Sequence, residues 1–220
     1  MALRGKLASE TRARNGSSSE AISCQRRGKR QRRAPMAALA PGCNVGVKRW
    51  LMYYLAIRQF ARTLKNLDAV LNKAEEHATT RGFDVDNFVN ARLAPDMLPL
   101  VVQVRIACDN AKIGAANLAQ KPAPKHEDKE TTFEELRGRI AKCLSFIDSL
   151  TEADFAKTTA DTVVPLAYPA GKALRAEDYL FGRQIPNFYF HVVTAYDILR
   201  QGGVPLGKSD FLGELPLIDA

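Results

Sequence analysis

The residues best equipped for chemistry lie in one stretch near the C-terminus, IPNFYFHVVTAYDILR, from Ile185 to Arg200. Its histidine, His191, could act as a metal ligand or general base, because imidazole offers a lone pair and titrates near neutral pH. Asn187, one helical turn earlier, and Thr194, three residues later, could join it in a polar cluster around a small ligand. A residual metal site would need a carboxylate as well, and Asp109 is the one to test. Each has a bland alternative. His191 can be a packed imidazole with a hydrogen-bond partner, and Asp109 has Arg105 and Lys112 at the spacing of a solvated ion-pair face. Tyr196 flanks the other side of the same helix with Tyr189, where an amphipathic packing role is the simpler reading. Lys208 and Asp210, in a loop with Gly and Pro, could close one end of a pocket or form a local ion pair. Arg183 could hold an anion near the helix N-terminus, or could simply be a surface arginine. The candidate ligand-pocket set is therefore His191, Asn187, Thr194, Tyr196, Lys208 and Asp210.

The elements that must position these groups follow from the apolar spacing. Tyr53, Ile57, Phe60, Leu64, Leu67, Leu71 and Ala74 alternate steps of three and four, which predicts a first helix that Gly82 can end. Met97, Val101, Val104, Cys108, Ala111, Ala115 and Leu118 make the stripe of a second, with Pro95 in its first turn. QKPAPKHEDKE, from Gln120 to Glu130, is a polar loop with two prolines. Thr132 and Glu135 fit a capping box that opens a third helix carrying Phe133, Leu136, Ile140, Cys143, Ile147 and Leu150. The fourth starts near Pro186 and stops at Gly202-Gly203. On it Phe188, Val192, Ala195 and Leu199 form the central stripe, and His191 lies about 60° to one side. Four stripes that need one another make an all-α four-helix bundle, with either direction open for helix 3. The long segment between helices 3 and 4 contains TVVPL and the turn YPAGK, which predicts a short hairpin or flap. Phe190 makes helix 4 apolar on a second side, for which the flap is the expected cover.

Charge is divided unevenly along the 220 residues. The net charge is +8, yet residues 1–50 hold 12 Lys+Arg against 2 Asp+Glu, leaving −2 for residues 51–220. Residues 1–51, with RRGKRQRR and no apolar periodicity before Trp50, read as a disordered basic extension. It could be a nucleic-acid patch, a nuclear or mitochondrial targeting segment, or a mis-assigned start, with Met36 and Met52 available. Residues 52–220 form the bundle domain, and any nucleic-acid contact would be made through residues 1–51. No stretch approaches the roughly 18 apolar residues of a membrane span, so no membrane partner and a cytoplasmic location are expected. Cys108 and Cys143 on apolar faces behave as small hydrophobes. No Walker loop, dinucleotide fingerprint, GxSxG, HExxH or zinc-finger spacing occurs.

Three segments, NARLAPDMLPLVVQVRIACDNAK, IPNFYFHVVTAYDILR and GVPLGKSDFLG, closely resemble a family of uncharacterised domains grouped with the DinB/YfiT-like helical bundles, a superfamily described in terms of metalloenzymes. The resemblance covers about residues 52–214. It implies a DinB-like bundle in which the loop between helices 2 and 3 is the crossover. Metal-binding relatives take one histidine from helix 2 and two more, as HxxxH, from a later helix. Here helix 2 has no histidine, the residue four after His191 is Ala195, and the other histidines are His77 and His126 alone. A three-histidine site is ruled out by that count, so no cofactor is expected. If a divalent metal binds, His191 and Asp109 are its candidate ligands. The resulting expectation is a binder of an unknown small molecule, or a scaffold. The alternatives are a metal- or thiol-dependent transferase or isomerase around His191, and nucleic-acid binding through the tail. A homodimer could use an exposed edge of helix 1 or 4.

Overall fold

A computed structural model describes residues 48–219; the basic run and nearly all of the expected extension lie outside the described residues. Helix α1 runs from Arg49 to Arg81, three residues ahead of the Met52 boundary, and every residue of its expected stripe is buried. It ends at Gly82, whose φ of 74° is a left-handed conformation that glycine adopts without a Cβ penalty. A short 3-10 turn, Val85–Phe88, leads into α2, Leu100–Leu118. The second helix therefore starts after Pro99 and not near Pro95, and Met97 stands in the preceding turn. Pro99, with φ −72° and ψ 166°, is extended and forms the N-cap.

Helix α3, Phe133–Asp148, opens with the capping box of Thr132 and Glu135. After it come a 3-10 turn, Glu152–Phe155, and a two-stranded antiparallel hairpin. Its strands are β1, Val163–Pro165, and β2, Ala173–Arg175, with Val164 opposite Leu174. Asp178–Gln184 then winds as a π-helical turn straight into α4, Ile185–Gln201. A five-residue helix, α5, Lys208–Leu212, follows where the sequence suggested only a loop.

Cross-links between helices fix their directions. Arg58 meets Asp148 while Arg137 meets Asp68 and Glu75, so α1 and α3 are antiparallel. At the start of α3 the Phe133 amide donates to Asp86 and its ring packs on Phe88, just ahead of α2, while Thr158, past the end of α3, donates to the Leu118 carbonyl at the end of α2, so α2 and α3 run parallel. Gln103 pairs with His191 and Asn110 with Asn187, so α4 runs back along α2. Parallel neighbours need a connection that returns the length of the bundle. Residues 119–132 supply it, as the crossover implied by the resemblance. The core stripes expected on all four helices meet inside, including Cys108 and Cys143 at 0% exposure.

Candidate functional site

Helix α2 presents two polar rows beside its apolar stripe, one toward α4 and one toward α3. Gln103, Asn110 and Asn117 recur at steps of seven, two helical turns each, and so share the α4 side. On the facing elements stand His191, Asn187, Gln184 and Tyr179. His191 Nδ1 lies 2.7 Å from Gln103 Oε1, and Gln103 Nε2 donates to the Leu98 carbonyl at 3.0 Å. That orientation of the amide makes Nδ1 the protonated nitrogen of His191. Burial of the ring holds its pKa below the ordinary histidine value, so the imidazole is neutral at pH 7.

One turn away, Asn187 Nδ2 donates to Asn110 Oδ1 at 2.9 Å, while Asn110 Nδ2 donates to the Ile106 carbonyl. Gln184, fully buried, donates to the Asn110 carbonyl at 2.9 Å. Its approach depends on Gly114: a Cβ there would stand 3.0 Å from Gln184 Nε2. Asn117 donates to the Tyr179 hydroxyl at 2.9 Å. Together these bonds zip the π-helical turn and the start of α4 onto α2.

Between them and the hairpin lies a cleft of about 250 Å³. Ile106, Asn110, Ile113 and Asn117 form its α2 wall, Tyr179, Arg183 and Asn187 the opposite wall, and Pro165, Leu166 and Ala167 of the hairpin its cover. The hairpin thus roofs the N-terminal end of α4 and does not cover the second apolar side of that helix, where Phe190 stays 57% exposed. The reason is positional: the π-helical turn carries the hairpin toward the C-terminal part of α2.

The α3 side of α2 is ionic. Asp109 accepts from Arg139 Nη2 at 2.9 Å, and Lys112 Nζ stands 2.8 Å from its other oxygen, without hydrogen-bond alignment. Arg139, 2% exposed, also reaches Glu130 and Asp128 at 2.9 Å, and Glu130 pairs in turn with Arg105. Asp109 and Lys112 are therefore not a solvated face: Lys112 is buried and the carboxylate is clamped between two cations.

Of the expected pocket residues, the structure brings Asn187 to the cleft and sets His191 directly behind it, in the same bonded row. Thr194 donates to the Phe190 carbonyl within its own helix. Tyr196 packs edge-on against Phe211 on another side of α4. Lys208 and Asp210 belong to α5, where Asp210 pairs with Lys73 at 2.6 Å and accepts from the Gly207 amide. Neither lines the cleft. Sequence reasoning passed over Gln103, Asn110, Asn117, Tyr179 and Gln184. The signal for three of them was present, as amides at helical spacing next to an apolar stripe.

Comparison with protein families matches residues 52–212 to a domain of unknown function, DUF1993. The chain belongs to this family. A solved DinB family member from Shewanella denitrificans is 44% identical, with a TM-score of 0.73 over 77% of this chain and 96% of that one. The bundle is thus DinB-like in fold and in sequence. A search of curated proteins finds no match.

In this DUF1993 chain Ala195 stands four residues after His191, and Asn187 four residues before it. The head groups of Asn187 and His191 are tied to amides of α2, and Asp109 is held by Arg139 and Lys112. Among the described residues no three His, Cys, Asp or Glu side chains come together as a metal-ligand set. The donors present do not fit the metal centre of the superfamily. Among the same residues no helix is long and apolar enough to cross a membrane.

Proposed function

We propose that the domain binds a small polar organic molecule in the cleft between α2, α4 and the hairpin. The observation that carries this reading is the division of hydrogen-bonding capacity across the bonded row. Gln103, behind the cleft, and Asn110 and Gln184, in its walls, are engaged with α4 and with backbone. Along the cleft wall, Asn187 keeps its Oδ1 unbonded, and Tyr179, accepting from Asn117, keeps its hydroxyl proton. Concave sites with apolar walls and a few convergent polar groups are what ligand pockets are made of. Ile106, Ile113 and Leu166 supply the apolar part.

Ligand-observed NMR screening of small polar fragments against the chain tests the reading. Binders should compete with one another and give contacts to Ile113, Leu166 and Tyr179. Substituting Ile113→Trp, which fills the cleft from α2, should abolish their binding while the fold persists. Fragments that bind only elsewhere, or that bind the Ile113→Trp variant unchanged, would sink it.

A further inference from the structure

Resting on that reading of the cleft, we infer that its ligand carries a carboxylate, seated on Arg183. Arg183 is half-buried on the π-helical turn and makes one side-chain hydrogen bond, Nη1 to Gln184 Oε1 at 2.6 Å. No acidic group pairs with it among the described residues, whereas Arg105 and Arg139, on the ionic side of α2, are each paired. The bond to Gln184 fixes the guanidinium at the cleft wall; burial raises the pKa of the Tyr179 hydroxyl there, against the Asn117 hydrogen bond and then the Arg183 charge. The one carboxylate that touches the cleft, Asp109, is already neutralised by Arg139 and Lys112. The cleft therefore has an uncompensated cation in a wall of neutral amides.

A planar fork with free N–H groups matches a carboxylate in two-point contact. A phosphate would call for more positive charge than one arginine, and no lysine lines this cleft. The remaining free groups define the rest of the molecule. The Tyr179 hydroxyl can donate a second bond to the ligand, Asn187 Oδ1 accepts from a hydroxyl or amine, and Ile106 and Ile113 take a short aliphatic body. The class that satisfies all of these is a small hydroxy- or amino-carboxylate.

The test titrates the 15N-labelled full chain with three probes: 2-hydroxy-3-methylbutanoate, its neutral amide, and inorganic phosphate. Chemical shifts of the Arg183 Nε–H and of the Asn117 and Asn187 side-chain amides report occupancy. The carboxylate should bind at least about tenfold more tightly than the amide, as expected for hydrogen bonds to a charged group. Arg183→Gln, with an otherwise unchanged amide spectrum, should remove that difference. Equal affinities for acid and amide, untouched by Arg183→Gln, would overturn the carboxylate and leave the cleft as a site for neutral molecules. Phosphate shifting Arg183 where the carboxylate does not would overturn it in favour of another anion. No shift at these amides with any probe at tens of millimolar would overturn the inference and the cleft reading together.

Discussion

Neighbouring residues of α2, Asp109 and Asn110, point into two polar layers built on opposite principles. Toward α3 the layer is ionic: Arg139, Asp109, Lys112, Glu130, Arg105 and Asp128 hold the crossover segment against the bundle. Toward α4 it is neutral, made of amides, an imidazole and a phenol. In the ionic layer each charge has an opposite charge at 2.8 or 2.9 Å, since buried charge is tolerated only where it is paired, even though Asp109 Oδ1 and Arg139 Nε are left without a hydrogen bond. The neutral layer can leave an acceptor or a proton unmatched at its edge, because an unpaired amide oxygen or hydroxyl at a cleft wall still reaches water. One layer secures a connection, and the other keeps groups available for a visitor.

The sharpest way to break this contrast is to remove the centre of the ionic layer. Arg139→Ala should lower the free energy of unfolding by about 4 kcal/mol, since it strips a buried partner from Glu130 and Asp109. Urea unfolding measures it, and a loss below about 1 kcal/mol would mean that the crossover is held by other contacts. Bringing charge into the neutral layer is the next test. Asn110→Asp sets a carboxylate oxygen against the Ile106 carbonyl and should cost about 3 kcal/mol. The adjacent Asp109→Asn, read in the same assay, should lower stability through Arg139 and leave the shifts of Asn187 unchanged.

A smaller effect tests the bonding within the neutral layer. Gln103→Leu leaves the Nδ1 proton of His191 buried without an acceptor and should cost about 2 kcal/mol. Adding His191→Leu should return part of that loss, and a double-mutant cycle with no coupling would dissolve the pair.

The smallest effect is in pH. Burial lowers the pKa of His191; burial together with Lys112, Arg139 and Lys142 lowers that of His126 in the crossover, against Asp109. Below about pH 6.5 the unfolded chain takes up protons that these folded histidines resist. Stability should then fall as pH falls and level off once the folded groups protonate, with no contribution from them above that window. His126→Gln should flatten part of the fall in unfolding curves between pH 7.5 and 5, and His191→Gln another part. An unchanged slope in both variants would assign the acid sensitivity to carboxylates.

Much of the bundle was legible because its determinants are local. The stripes of α1 and α3, the Thr132 box and the glycines at helix ends act within a turn or two of themselves, and the helices they mark are present. The direction of α3 was not legible from spacing, because a loop of that length reaches either end; it is read from ion pairs between distant positions at two heights of the bundle, Arg58 with Asp148 and Arg137 with Asp68 and Glu75. Asn187 could be singled out beside His191 because one turn separates them. Its true partner, Asn110, lies 77 residues away, and no periodicity in α4 points to it. Lys208 and Asp210 sit near the aromatic stretch in sequence, yet α5 folds back onto α1 and carries them off.

The π-helical turn has a consequence for how this wall could be lost or gained. A π turn holds one residue more than the α-helical path it replaces, so removing one residue from Asp178–Gln184, for instance Gly182, would let the segment relax into α4 as regular helix. The shorter α-helical path spans the same two ends, so the hairpin before the turn and the register of Asn187 and His191 after it would both be kept. Only the turn itself would be redrawn, and Tyr179, Arg183 and Gln184 would lose the positions from which they meet Asn117 and the cleft. This stretch of wall is thus one codon away from being reset between a fixed roof and a fixed core, a natural point for relatives to diverge in what they bind.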